Sequence, residues 1–151
     1  MTRLYVYLIL ALWGILICGG SRTAASAADL APQEWRGTWV LERDLGAAAV
    51  SALSSAQVQA LLGTALPLTD RTSTPGGADC TSPQFQVSQE APEAIASEFR
   101  IQLPELQASG PLSILDVSCE NDGYSLVRIG ERTALLIYQG HAFLAEKAPG
   151  R

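Results

Sequence analysis

The chain contains few of the residue types that most often carry chemistry. Its 151 residues include one histidine, three cysteines and one methionine. A single histidine disfavours a metal site, because zinc sites draw four ligands mainly from histidine and cysteine. His141 would also have to serve any Ser-His-Asp arrangement, yet no Gly-x-Ser-x-Gly motif is present. The composition therefore predicts a protein that is not an enzyme and needs no cofactor, with His141 in a surface loop.

Acidic side chains supply the remaining route to catalysis. Three pairs lie close together in the sequence: Glu42 with Asp44, Glu90 with Glu93, and Glu120 with Asp122. A glycosidase needs two carboxyl groups about 5 to 9 Å apart across a cleft, which spacing along the chain does not define. Because carboxylates on an acidic domain are mostly solvated at its surface, an enzyme with a carboxylate pair is the less favoured alternative.

Lysine and asparagine are also scarce. One lysine stands against nine arginines, and Asn121 is the single asparagine. With the abundant alanine, this bias is typical of GC-rich bacterial genes, and no Asn-x-Ser/Thr glycosylation acceptor is present. Acidic residues outnumber basic residues by fifteen to ten. An acidic domain repels phosphate backbones, so nucleic acid is not an expected partner.

Residues 1–27 have the three parts of a secretory signal peptide. A short start containing Arg3 precedes an apolar run of about fifteen residues, and Ala25-Ser26-Ala27 forms a small-x-small cleavage site. The run is shorter than the roughly twenty residues that span a bilayer, so a retained membrane anchor is the lesser alternative. Isoleucine directly before Cys18 departs from a lipoprotein attachment site. We expect cleavage after Ala27 and a periplasmic or secreted protein.

The remaining residues, 28–151, are expected to form one small domain. Removing the leader takes away two arginines and no acid, which leaves eight basic and fifteen acidic residues, a formal charge of −7. It also leaves Cys80 and Cys119, an even pair in an exported protein. A redox pair is usually a local Cys-x-x-Cys, and zinc would lack ligands. The sequence therefore favours a structural disulfide between Cys80 and Cys119.

The pattern of apolar residues predicts a mainly β fold with one short helix. Runs of four to eight residues rich in β-branched and aromatic types, separated by glycine-containing breaks, are typical of antiparallel strands. The helix is predicted over residues 54–63, where Ser54 and Gln57 form a capping box and Val58, Leu61 and Leu62 form one apolar stripe. The predicted strands are the one holding Trp39 and those at 85–87, 98–103, 112–119, 124–129, 133–138 and 142–145.

Gly37-Thr38-Trp39 resembles the Gly-x-Trp that opens the first strand of lipocalins and related small β-barrels. That resemblance implies a small antiparallel meander barrel, or a strongly curved sheet, whose floor is closed by the tryptophan. The chain departs from the family in its short length, in lacking a mid-chain Thr-Asp-Tyr and in having no C-terminal helix after its last strands. A filled interior is the simpler expectation for a barrel of this size.

These features predict a monomeric, non-catalytic binding module for a small apolar ligand or an envelope protein. A membrane would be a partner only if the leader were retained. The alternative is an interaction or inhibitor module that uses its loops or an edge strand. Arg128 and Arg132 are candidates for binding a carboxylate at the barrel mouth. Five aromatic residues are candidates for lining a ligand cavity: Trp39, Phe85, Phe99, Tyr138 and Phe143.

Overall fold

The computed structural model describes residues 31–69, 71–102 and 109–150. The predicted signal peptide and its cleavage site lie outside these residues. The described chain is mainly β, with nine antiparallel strands in one strongly curled half-barrel sheet and two short helices. A single 3-10 turn, Gln33–Trp35, precedes the sheet. The strands and helices, in chain order, are β1 Gly37–Ala47, α1 Ser55–Leu61, β2 Ala65–Leu68, β3 Thr72–Ser73, β4 Asp79–Cys80, β5 Gln84–Glu90, α2 Pro92–Phe99, β6 Leu112–Ser118, β7 Gly123–Arg128, β8 Thr133–Tyr138 and β9 His141–Lys147.

The order of strands across the sheet requires it to curl. That order is β4-β3-β2-β1-β9-β8-β7-β6-β5, so β4 and β5 are the two edge strands. Adjacent strands lie about 4.8 Å apart, and the edges of a flat nine-stranded sheet would therefore be roughly 38 Å apart. Only residues 81–83 connect β4 to β5, and such a connection reaches about 14 Å at most. The sheet consequently curls until its two edges lie near each other.

Strand β1 is long and irregular enough to bend with the sheet. Residues 37–40 pair with β2, and residues 39–47 pair with β9. The pairing with β9 shifts register between Leu41 and Arg43 and again between Asp44 and Gly46. Such β-bulges increase the local twist and bend the strand that contains them. The two bulges therefore lie where the first strand has to follow the curl.

The concave face of the sheet holds the larger of two apolar clusters. Trp39, Leu126, Leu136 and Phe143 are each at most 1% exposed. The same cluster takes in Trp35 and, from α1, Val58 and Leu61. The helix therefore closes one end of the curled sheet with its apolar stripe, and the side chains of this cluster fill the interior.

Helix α2 covers the opposite face of the central strands. Its residues Ile95 and Phe99 pack in a second cluster with Val127, Leu135 and Ala142 from β7, β8 and β9. Along β8, for example, Leu136 faces the first cluster and Leu135 the second. Strands buried on both faces appear in the sequence as continuous apolar runs. This explains why the runs of β7 to β9 are so apolar.

The strand predicted over residues 98–103 is wrong. Helix α2 occupies Pro92–Phe99, and Arg100 follows it with a left-handed φ of 58°. Phe99 and Ile101 have the alternating spacing of strand residues, but Phe99 ends the helix and Ile101 lies beyond the turn at Arg100. Both side chains are buried in the second cluster. Pro92 at the first helical position, followed by Glu93, was the sequence signal for this helix.

Candidate ligand-binding cleft

An open cleft of about 420 Å³ lies where α1 meets two loops of the sheet. One wall is α1 with the residues around it, the second is the loop between β3 and β4, and the third is the β8–β9 turn. Carbon-rich side chains dominate the lining, and four side chains bring polar groups to it. The lining residues are Leu53, Gln57, Ala60, Leu61, Thr64, Pro75, Gly76, Gly77, Tyr138 and Gln139.

The capping box predicted from the sequence fixes the start of α1. Ser54 Oγ accepts a hydrogen bond from Gln57 N at 3.4 Å, and Gln57 Oε1 accepts one from Ser54 N at 2.9 Å. Val58 and Leu61 point into the concave cluster, whereas Gln57 and Ala60 lie one turn apart on the face that lines the cleft. Helix α1 therefore has two roles: it closes the end of the sheet and forms one wall of the cleft.

Tyr138 is held in place at the inner side of the cleft by a polar network. Its hydroxyl donates a hydrogen bond to Asp122 Oδ2 at 2.8 Å and accepts one from Gln139 Nε2 at 3.0 Å. Burial raises the pKa of the Tyr138 hydroxyl, and the hydrogen bond and charge of Asp122 raise it further. The hydroxyl therefore stays protonated at neutral pH and serves as a fixed polar group.

The loop that carries Gly76 lies directly against Tyr138. A Cβ at Gly76 would come within 2.9 Å of the Tyr138 hydroxyl oxygen, so a side chain at this position would require the hydroxyl or the loop to shift. Thr74, at the base of the loop, is 2% exposed. Its backbone carbonyl accepts from Gly77 N, and its amide donates to Ala78 O, each at 2.9 Å. The loop is thus an ordered wall of the cleft.

The five aromatic residues predicted to line a cavity are distributed over three environments. Tyr138 lines the cleft. Trp39 and Phe143 are buried in the concave cluster, and Phe85 is partly buried against it. Phe99 packs in the cluster on the opposite face of the sheet, because it belongs to α2 and not to a strand. The structure therefore brings four of the five to one face but places only Tyr138 at the cleft.

Arg128 and Arg132 lie at the other end of the sheet. Strand β8 runs from Thr133, beside Arg132, to Tyr138 at the cleft, a length of roughly 17 Å. The guanidinium of Arg128 stacks 4.4 Å from the centre of the Trp35 ring. The two arginines consequently do not reach a ligand in the cleft. They were candidates for a barrel mouth, but they do not lie at the opening of this cleft.

His141 begins strand β9 and is not part of a loop. Its Nδ1 lies 3.5 Å from Asp44 Oδ1 on the neighbouring strand β1, and its side chain is 13% exposed. Within the described ranges, no group of three histidine, cysteine or acidic side chains is arranged to hold a metal ion. What the cleft offers is shape, apolar surface and a few fixed polar groups.

A disulfide joins Cys80 to Cys119, as the sequence predicts. Beside it, a smaller cavity of about 100 Å³ is lined partly by acidic residues, including Asp79, Glu120 and Asp122. Asp122 is already bonded to Tyr138 and to Gly123 N. Both oxygens of its carboxylate therefore already accept hydrogen bonds from the protein.

Comparison with protein-family models, curated proteins and solved structures finds no match to this chain. Separately, no helix within the described part of the chain is both long and apolar enough to cross a membrane.

Proposed function

We propose that this protein is an exported, non-catalytic binding domain that holds a small, mainly apolar ligand in the cleft beside α1. The observation that carries this proposal is the cleft itself. Its volume of about 420 Å³ falls within the range of roughly 300 to 1,000 Å³ typical of small-molecule sites. Such sites combine apolar walls with a few placed polar groups, which here are Gln57, Thr64, Tyr138 and Gln139.

The disulfide and the curled sheet support the wider setting of the proposal. A disulfide between Cys80 and Cys119 fits the oxidising periplasm or exterior of a bacterium. The sheet opens with Gly37-Thr38-Trp39, and Trp39 is 1% exposed within the concave cluster. This placement supports a lipocalin-like architecture. Unlike a ligand held deep inside a barrel, the ligand proposed here would lie at the end of a filled interior.

The experiment compares two tryptophan substitutions on the same helix. Ala60 lines the cleft and Ala56 does not, although both are exposed residues of α1. Ala60→Trp should fill part of the cleft, whereas Ala56→Trp should leave it open. Each variant and the unchanged protein would be purified from the producing cells and examined by native mass spectrometry. We expect a co-purifying small molecule on the unchanged protein and on Ala56→Trp, and its loss from Ala60→Trp.

Two results would contradict this function. One is a bare unchanged protein under conditions that preserve non-covalent complexes. The other is a small molecule retained equally by both variants, which would place the ligand elsewhere on the domain. Circular dichroism of the two variants would check that α1 remains folded in each.

Strand β5 carries the observation that favours a second candidate, a protein-interaction module. It is seven residues long and, among the described strands, pairs with β6 alone and so forms an edge of the sheet. Val87, on this strand, is 49% exposed, which is unusual for a large apolar side chain in this domain. A partner strand could add to this edge by β-augmentation. Val87→Lys would weaken such an interaction and leave small-molecule binding in the cleft unchanged.

A further inference from the structure

Three cationic side chains converge at the end of the sheet opposite the cleft. Arg128 ends β7, Arg132 lies just before β8 and Lys147 ends β9. Arg128 Nη2 and Lys147 Nζ donate to the same acceptor, the backbone oxygen of Glu34, at 2.9 and 3.2 Å. Arg132 Nη2 donates to Lys147 O at 2.6 Å. We call Arg128, Arg132 and Lys147 the basic cluster.

No carboxylate neutralises the basic cluster within the described residues. None of its three members forms an ion pair there, although Glu131 and Glu146 are their neighbours in sequence. Burial lowers the pKa of Lys147, and the charges of Arg128 and Arg132 lower it further. Three mutually repelling cations in a chain with a net charge of −5 are a specific local feature. An anion at this position would relieve their repulsion.

Two buried tryptophan rings form the base of the cluster. Arg128 lies over the ring of Trp35, and Lys147 Nζ lies 5.6 Å from the centre of the Trp39 ring. Both rings are at most 1% exposed, and Trp39 Nε1 is bonded to Trp35 O at 2.9 Å. Cation–π contacts on immobile rings hold the two charges in place. The site is thus preorganised on strand ends.

Two buried N–H donors at the cluster have no acceptor among the described residues. They are Trp35 Nε1 and Arg128 Nε, and the Trp35 side chain is fully buried. Leaving a buried donor unpaired is costly, so such groups usually meet a ligand or water. Arg128 covers the Trp35 ring, so neither atom is open to solvent, and a change in the position of the Arg128 guanidinium would alter the surroundings of the Trp35 indole.

We propose that the basic cluster, held on the buried Trp35 and Trp39 rings, binds a phosphate group. Phosphate carries up to two negative charges and several acceptor oxygens, which suits three cations with free donors. A carboxylate offers one charge and two oxygens and would leave the cluster partly unneutralised. The group can come from a soluble phosphate or from a phospholipid headgroup.

The test is a titration of the purified protein with inorganic phosphate at constant ionic strength. Nuclear magnetic resonance would follow the assigned indole N–H signals. Because Arg128 stacks on the Trp35 ring, we expect the Trp35 signal to shift with saturation. The Trp39 signal, whose donor is already bonded to Trp35 O, should shift less. Arg132→Gln should weaken phosphate binding by about tenfold or more, because it removes one charge-assisted donor. Arg100→Gln removes an exposed charge on the far side of the domain and should leave binding unchanged.

Vesicles distinguish the two sources of the phosphate group. Binding to phosphatidylglycerol vesicles but not to phosphatidylcholine vesicles, weakened by Arg132→Gln, would assign the site to a headgroup. Binding of free phosphate without vesicle binding would assign it to a soluble phosphate. Since Arg128→Gln removes the cover of Trp35 and could unfold the domain, Lys147→Gln provides the second variant. Equal binding of acetate and phosphate, no response to either source, or unchanged binding in both Arg132→Gln and Lys147→Gln would overturn the proposal.

Discussion

Cys80 and Cys119 join opposite sides of the sheet, with 5.5 Å between their Cα atoms. Cys80 ends the edge strand β4, and Cys119 directly follows β6, which lies next to the other edge strand. No ladder connects β4 to β5 in the described sheet. The disulfide therefore links the two sides of the curled sheet, whose edge strands are not joined by backbone hydrogen bonds.

Removing this disulfide should destabilise the domain strongly. The two cysteines are 39 residues apart, and the entropy of closing a loop of that length corresponds to about 4 kcal/mol in the unfolded chain. The double variant Cys80→Ser, Cys119→Ser should lose most of this contribution to the free energy of unfolding, which urea unfolding would measure. Reductant should destabilise the unchanged protein and leave the double variant unaffected. Alkylation of both cysteines in the intact, unreduced protein would contradict the bond.

A buried hydrogen bond should reinforce the same closure. Thr72 Oγ1 on β3 lies 2.8 Å from the Tyr124 hydroxyl on β7, across the concave face. Tyr124→Phe and Thr72→Val should each cost about 1 to 3 kcal/mol, because each leaves a buried polar group without that partner. The double variant should cost clearly less than the sum, since it removes both groups. If urea unfolding shows that the two losses of stability are additive, the two hydroxyl groups do not interact.

Much of this fold can be predicted from local sequence patterns. The strands at the C-terminal end and helix α1 lie within a few residues of their predicted bounds, because each has a strong apolar run and a glycine or capping signal at its boundary. The apolar pattern predicts a strand in place of the end of helix α2, because Phe99 and Ile101 alternate with polar residues although they lie on either side of the helix end. Strands β3 and β4 have two residues each, too few for any periodicity to register.

The cleft could not be predicted in the same way. Pro75, Gly76 and Gly77 have an evident loop composition, but nothing local indicates that this loop packs against Tyr138, about sixty residues later. Their contact depends on the curl of the whole sheet. The basic cluster has the same origin, because Arg128 and Lys147 meet only through the pairing of β7, β8 and β9.

The pH dependence of stability should report on Tyr124. Burial raises the pKa of its hydroxyl above the ordinary 10.0, and the hydrogen bond with Thr72 offsets part of this rise. The unfolded chain therefore ionises first. The contribution of Tyr124 to stability is complete below pH 10 and is lost as the pH rises through the folded pKa. Urea unfolding from about pH 8 to about pH 11 should show a steeper loss for the unchanged protein than for Tyr124→Phe.

Comparison with Tyr124→Phe isolates this group from others that titrate nearby. Tyr138 has a raised pKa as well, and Lys147 has a lowered one, which acts in the opposite direction. Tyr138 and Lys147 are present in both proteins, so their contributions cancel in the comparison. Parallel curves for the two proteins above pH 10 would mean that Tyr124 is not desolvated in the native state.

The turn between β8 and β9 should be intolerant of a side chain at Gly140. Gln139 and Gly140 have φ angles of 47° and 81°, both left-handed, as a tight two-residue hairpin turn requires. A Cβ at Gly140 would also collide with the backbone oxygen of Val50. Residues 48–52 lead into α1 and are hydrogen-bonded to this turn. Ala48 N donates to Gly140 O, and Ala52 N donates to Gln139 O. The turn thus positions the helix that walls the cleft.

Gly63→Ala is the matched control for Gly140→Ala. Gly63 has nearly the same φ, 80°, but nothing lies within 4 Å of an added Cβ. Gly63→Ala should cost about 1 to 2 kcal/mol from backbone strain alone. Gly140→Ala adds the collision and should cost about 3 kcal/mol or more. It should also displace α1 and weaken retention of a small molecule in the cleft. Equal losses from the two substitutions in urea unfolding would show that the 48–52 segment does not pack on the turn.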